Sequence, residues 1–338
     1  MSGDSLVSFE NTIMNRDDVI SAISDGEFMV IAGDEKVINS LPSGNWIAGT
    51  IPYFMTEEGG KVDQSSLYVN KISGFPKNNP PRLTLYDQGS ISRIAEEAPE
   101  HGFTILILPA TSEVHLTYAQ NAPDFPNMFF SPIVGWISGV HLSELGQQSP
   151  KIGFGPASGI LSDNQAVAMH VSLPETQVAN IKICNLFKPG NGQTITFPEG
   201  GFSATSCAVN GTEWNLAEFI KEQKIDTRLP LVADYSGVMV NVSIQEVLDG
   251  KVNLYAPVFS GVEYRFAQPV DNYIEEFNSA LSDSEGENAS FSCNCILNFL
   301  YSELEGKKTG RLTGPMTFGE VAYQLLNQTL VYLSLDNY

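Results

Sequence analysis

Thr317, Glu320, Asn327, Gln328 and Thr329 gather a carboxylate, two amides and two hydroxyls into one short stretch near the end of the chain. The triplet Asn327-Gln328-Thr329 opens the apolar run Leu330-Val331-Tyr332-Leu333, so three adjacent polar side chains enter a buried strand. Burial of such groups costs free energy unless partners wait for them. Two readings follow. The cluster grips an amino- or hydroxyl-bearing ligand, or it bonds main chain at the tight turn Gly314 to Glu320.

Other constellations carry less. Cys293-Asn294-Cys295 places two thiols on one face of a strand, but two thiolates do not complete a tetrahedral zinc site. His101, His115, His141 and His170 show no ligand spacing, so buried structural cysteines are expected and no cofactor or metal is implied. Gly153-Phe154-Gly155-Pro156-Ala157-Ser158-Gly159 imitates a dinucleotide loop but leads into a strand-like segment rather than the required helix. In Gly135-Trp136-Ile137-Ser138-Gly139 the serine stands one residue out of register for a nucleophile elbow.

The elements that would position these groups alternate along the chain. A helix is expected over Asp17 to Ser24 and stops at Asp25-Gly26. Strands follow at Phe28 to Ala32, Asn45 to Ala48 and Leu67 to Ile72. The proline-rich stretch Phe75 to Pro81 is a loop. Ser90 to Glu97 reads as helical, then Phe103 to Leu108 and Ser131 to Gly139 as strands. Helix, buried strand, second strand and glycine turn thus occur twice before residue 140, the mark of a weak internal repeat. Gly49, Gly135, Gly314 and Gly319 are assigned to turns, with positive φ or close backbone approach. If the turns correspond, Thr50, Ser138 and Thr317 rim one cleft.

From Gln165 the texture becomes an antiparallel meander, with strands at Ala166 to Val171 and Asn180 to Leu186 and a hairpin turn at Asn210-Gly211. Helices are expected over Asn215 to Lys224, Tyr273 to Leu281 and Leu297 to Leu304. Val262 to Ala267 reads as a strand, and Ser282 to Glu287 as an acidic loop. The polar passage Lys221 to Arg228 divides the chain into regions 15–222 and 223–338. The fold class is α+β, two lobes of mixed and antiparallel sheets flanked by helices.

The chain has 338 residues, 42% hydrophobic and 17% charged, a globular mixture. Its formal charge is -21, which repels phosphate backbones and anionic headgroups, so neither nucleic acid nor membrane is an expected partner. No apolar run reaches membrane-spanning length, and the first residues lack the pattern of a secretory signal. A cytoplasmic protein is expected.

Several passages resemble FIST-type (F-box and intracellular signal transduction) sensory proteins in the same order. Phe187-Lys188-Pro189-Gly190, Thr194-Ile195-Thr196 and Asn210-Gly211-Thr212-Glu213-Trp214 are similar to the middle of that domain. Leu229-Pro230-Leu231-Val232, Pro257 to Val262, Cys293, Gly314 to Glu320 and Asn327-Gln328-Thr329 resemble its C-terminal region. Ile47-Ala48-Gly49-Thr50 resembles its N-terminal Gly-x-Thr-Thr-x-Gly-Glu turn, although Ile51-Pro52-Tyr53 replaces the remainder. The arginine expected after the cysteine is also replaced, by Asn294-Cys295-Ile296. The resemblance implies a stand-alone sensor of a small polar metabolite such as an amino acid, signalling to a partner protein. Its ligand-binding residues would be Thr50, Ser138, Cys293, Thr317, Glu320, Asn327, Gln328 and Thr329. The competing expectations are a hydrolase acting on a small polar substrate, which needs a nucleophile beside a base, and a scaffolding protein.

Overall fold

The computed structural model describes residues 6–76, 78–156, 160–235, 238–281 and 289–338. The acidic loop Ser282 to Glu287 and the end of the glycine-rich run, Ala157 to Gly159, lie outside the described residues. The fold is mixed α+β, and its largest units are three six-stranded sheets with one shared plan.

At the centre of each sheet lies a parallel pair. In the first sheet Phe28–Gly33 pairs with Trp46–Thr50, in the second Gly102–Pro109 with Ile133–Ser138, and in the third Ala289–Cys295 with Gly314–Thr317. In the first two sheets Phe28–Gly33, Gly102–Pro109 and Ile133–Ser138 are near-continuous apolar runs because both faces are covered. A parallel connection needs a crossover, supplied by the helices Glu35–Ile38, Glu113–Asn121 and Ile296–Tyr301. One flank of each pair carries two antiparallel strands: Leu67–Ser73 with Ser8–Met14, Ala166–Ser172 with Arg82–Tyr86, and Leu330–Asn337 with Gln177–Cys184.

The other flank is filled by a hairpin from elsewhere in the chain. Ile152–Phe154 and Ile160–Ser162 complete the first sheet, Glu320–Ala322 and Gln324–Leu326 the second, and Tyr53–Thr56 and Gly59–Val62 the third. The hairpins are thus exchanged in a cycle. Strands from both sides of the 222/223 division share the second and third sheets. One apolar core joins Phe54, Ile107, Trp136, Phe291, Val321 and Leu333.

Between Cys184 and Ala289 the third unit carries a long insertion of three small antiparallel sheets and the helix Leu216–Gln223. Asn215 caps that helix by accepting the Glu218 N–H, and Leu216, Phe219 and Ile220 are buried as their spacing predicts. The Asn210-Gly211 hairpin has positive φ at both residues, which suits a two-residue turn. The insertion is tied to the tail through Asn241, whose Nδ2 donates to the carbonyls of Asn327 (3.0 Å) and Gln328 (3.3 Å).

Three expected elements differ. Ser90 to Glu97 forms only a 3-10 turn at Ile91–Arg93. Pro99 disfavours helical backbone at Ala98, and the segment before it is too short to hold a helix alone. The strand expected over Val262 to Ala267 shrinks to Arg265–Phe266, after Gly261 turns the chain at φ 78°. The helix expected over Leu297 to Leu304 ends at Tyr301, before Glu303 at φ 51°. Among the described residues, no helix is long and apolar enough to cross a membrane.

Candidate functional site

The tail residues meet in a closed polar knot. Glu320 is completely buried. Its Oε2 accepts the Thr329 N–H at 3.2 Å and the Thr329 hydroxyl at 2.8 Å, while Thr317 Oγ1 stands 3.4 Å from Oε1. Thr317 Oγ1 is also within reach of two carbonyls, Asn294 at 3.2 Å and Gly319 at 3.1 Å. Gln328, at φ 49°, accepts the Ser243 hydroxyl on Oε1 and donates Nε2 to the Arg228 carbonyl at 3.3 Å. Asn327 Nδ2 leans on Cys295 Sγ at 3.7 Å. Most of these groups are spent on main chain and on one another, but Asn327 Oδ1 has no hydrogen-bond partner among the described residues.

Burial pushes the Glu320 carboxyl up to about 8, against the opposing pull of bonds from Thr329, Thr317 and Cys295. The carboxyl is therefore mostly protonated at neutral pH, and no unpaired charge is buried. Burial, with Glu320 alongside, also raises the thiols of Cys293 and Cys295 well above their ordinary value, so both stay protonated. Cys293 Sγ donates to the Gly135 carbonyl at 3.2 Å. Among the described residues no set of three His, Cys, Asp or Glu side chains gathers to hold a metal.

Thr50, Ser138 and Thr317 occupy one position in three sheets, each at the end of the second parallel strand, paired with Gly33, Pro109 and Cys295. Their strand ends meet. Thr50 donates its hydroxyl to the Gly139 carbonyl at 2.7 Å, and Gly139 N–H returns to the Thr50 carbonyl at 2.7 Å. Phe318 N–H reaches the Ile137 carbonyl at 3.0 Å, and Ile137 N–H the Gly319 carbonyl at 2.8 Å. The meeting point is buried core rather than a cleft rim.

Gly49, Gly135 and Gly314 are not turn residues, which corrects the expectation from sequence, whereas Gly319 lies in the bend between the strands Gly314–Thr317 and Glu320–Ala322. Gly49, Gly135 and Gly314 lie inside strands, and neither they nor Gly319 have positive φ. Close approach explains two of them. A Cβ on Gly135 would fall 1.8 Å from the Leu106 carbonyl oxygen, and one on Gly314 2.1 Å from that of Ser292. The two positions correspond in the second and third sheets.

A cavity of about 730 Å³ opens between the insertion and the sheets, on the outer side of Phe318. None of the eight residues expected to bind ligand lines it. Its walls are mainly apolar, from Leu116, Leu142, Leu254, Ile296, Leu297 and Phe318. Its polar groups include His115 and Thr111, from the turn that follows the second sheet's Gly102–Pro109 strand. Ser112 caps the helix there by accepting the His115 N–H at 3.2 Å.

His115 is 5% exposed, and its Nδ1 accepts the Thr111 N–H at 3.2 Å. An accepting Nδ1 puts the ring proton of the neutral imidazole on Nε2. Burial lowers the imidazole to about 4, so the neutral form holds at pH 7. Nε2 has no hydrogen-bond partner among the described residues, and the Phe202 ring stands 5.6 Å from the imidazole, edge-on. Thr111 has φ 64°, an uncommon backbone state for a β-branched residue, of the sort that clusters at functional sites.

One family model, that of a family of unknown function (DUF6976), matches residues 14–336. The chain belongs to that family. No protein with a curated description matches it. In this DUF6976 protein the cavity side chains come from the segments near residues 110–116, 142–150, 202–203, 245–255 and 296–300, so no single motif announces them. His115 carried one local signal, Ser112 three residues before it at a helix start. Lys251 carried none.

The hydrolase alternative asks for a hydroxyl beside a base. The DUF6976 chain has such a pair in Thr104 Oγ1 and His170 Nδ1, 2.8 Å apart, with the Tyr86 hydroxyl 3.0 Å from His170 Nε2 and donating to Glu97 at 2.9 Å. This chain of bonds is closed within the second sheet. Thr104 is fully buried and does not line the cavity.

Proposed function

We propose that this protein binds a small molecule in the cavity beneath the insertion and reports its occupancy to a partner protein in the cytoplasm. One observation carries the reading: an apolar hollow of ligand size holds a buried imidazole whose Nε2–H has no acceptor. A buried donor without a partner costs about 1–3 kcal/mol, which a bound acceptor would recover. The position of the cavity supports a sensing role, because its walls join the insertion to the exchanged sheets and a ligand would change how they pack. The likeness of the tail to FIST-type regions points in the same direction. Binding is preferred to hydrolysis because His115 spends Nδ1 on backbone, and the Thr104–His170 pair lies away from the cavity. The four unpaired cysteines fit a reducing compartment.

A thermal-shift screen of small metabolites tests the proposal, since a ligand that binds only the folded state raises the unfolding temperature. A hit is expected that disappears in Ser203→Trp, which fills the cavity, and survives in Asn327→Ala, which does not touch it. A broad library without a hit on folded wild-type protein would overturn the reading.

A further inference from the structure

The charged side chain that lines the cavity is opposite in sign to the net charge of the chain. Acidic residues outnumber basic ones by 39 to 18, yet no Asp or Glu lines the cavity. Glu144 and Glu246 adjoin the lining residues Leu145 and Gln245 in sequence without lining it themselves. Lys251 does line it, and no carboxylate among the described residues pairs with its ammonium group. The helix Glu113–Asn121, which carries His115, packs against the strand Val252–Val258 that begins directly after Lys251. The positive end of that helix's dipole lies at the cavity. A lone cation, a neutral N–H donor and a helix N-terminus share one apolar hollow.

Resting on the small-molecule reading above, we infer that the ligand is an organic acid with an apolar body. Its carboxylate sits between Lys251 and the His115 Nε2–H, and its body lies along Leu116, Leu254 and Leu297. Nε2 is itself fully buried, so reaching it requires a neighbouring side chain to turn aside as the acid enters, an adjustment common on binding, and the Phe202 ring, 5.6 Å from the imidazole, is placed to make it. The two donors divide the recognition. The His115 Nε2–H donates to any carbonyl oxygen, charged or neutral, whereas Lys251 rewards only charge. The ammonium is compact and flexible, so it follows the acid head rather than setting a geometry.

Two matched probe pairs separate these roles: octanoate against octanamide, and 3-phenylpropanoate against 3-phenylpropanamide, titrated calorimetrically into the full chain. In wild type the acid of at least one pair is expected to bind about tenfold more tightly than its amide, a difference typical of one charge-assisted contact. Lys251→Met should bring the acid down to the affinity of the amide and leave the amide unchanged. His115→Phe should weaken both members. Lys251 is exposed, so its variant decides the matter even if the His115 variant does not fold. Equal binding of acid and amide in wild type and in Lys251→Met would overturn the acid inference and leave the binding proposal standing. No binding by any of the four probes to folded wild type would overturn the acid inference, with the wider library screen then deciding the binding proposal.

Discussion

The knot around Glu320 and the hollow around His115 are both built against the second sheet, and they treat buried polarity in opposite ways. At Glu320 the carboxyl is answered by Thr329 twice and faces Thr317 and Cys295. At His115 one nitrogen is used and the other is not. A carboxyl answered by its neighbours fixes one packing of the core, whereas an unsatisfied imidazole donor in a cavity wall leaves free energy for something else to collect. The contrast teaches that the density of polar residues in a sequence marks where main chain must be tied. A ligand seat needs few such groups, with at least one of them unspent.

The sharpest way to break this contrast is Glu320→Ala. It removes the acceptor of two Thr329 bonds and leaves a void, so a loss of about 3–5 kcal/mol in urea unfolding is expected. A loss below about 1 kcal/mol would mean that the knot is not structural. Next comes pH. The carboxyl holds its proton up to about 8 in the folded chain but only to its ordinary 4.5 when unfolded. Its extra stability is thus complete below about 4.5, declines as pH rises, and is gone above about 8. Glu320→Gln should flatten that slope, and the difference from wild type across the window should reach a few kcal/mol.

Smaller effects are expected at the hollow. His115→Phe removes an unpaired donor along with the acceptor for Thr111 N–H, so stability should move by less than about 1 kcal/mol either way. Thr111→Gly should stabilise the ligand-free protein by up to about 1 kcal/mol, because glycine accepts positive φ without strain. A clear destabilisation in chemical denaturation would show that the threonine side chain matters more than its backbone state.

Much of the fold was legible. Phe28 to Ala32 is apolar without interruption and Phe103 to Leu108 is broken only by Thr104, and both are inner parallel strands. Tyr273–Leu281 and Leu216–Gln223 are helices where the spacing of large apolar residues placed them. The glycines were harder to read, because a strand glycine forced by a neighbouring carbonyl and a turn glycine forced by φ look alike in one dimension. The tail is dense in polar groups, most of which find protein partners, but sequence could not say whether partners would be protein or ligand. The hollow was illegible for a different reason. His115, Phe202, Lys251 and Leu297 are unremarkable singly, and only the folded chain makes them neighbours.

The cyclic exchange of hairpins has a consequence for how the chain reaches its fold. The second sheet's inner strand Ile133–Ser138 gains its outer neighbour only from Glu320–Ala322, far along the chain from it. During synthesis that strand edge stays open until the chain has been made as far as Ala322. The segment that finally closes it carries Glu320, so the ring of sheets and the internal carboxyl fall into place together as a keystone does in an arch.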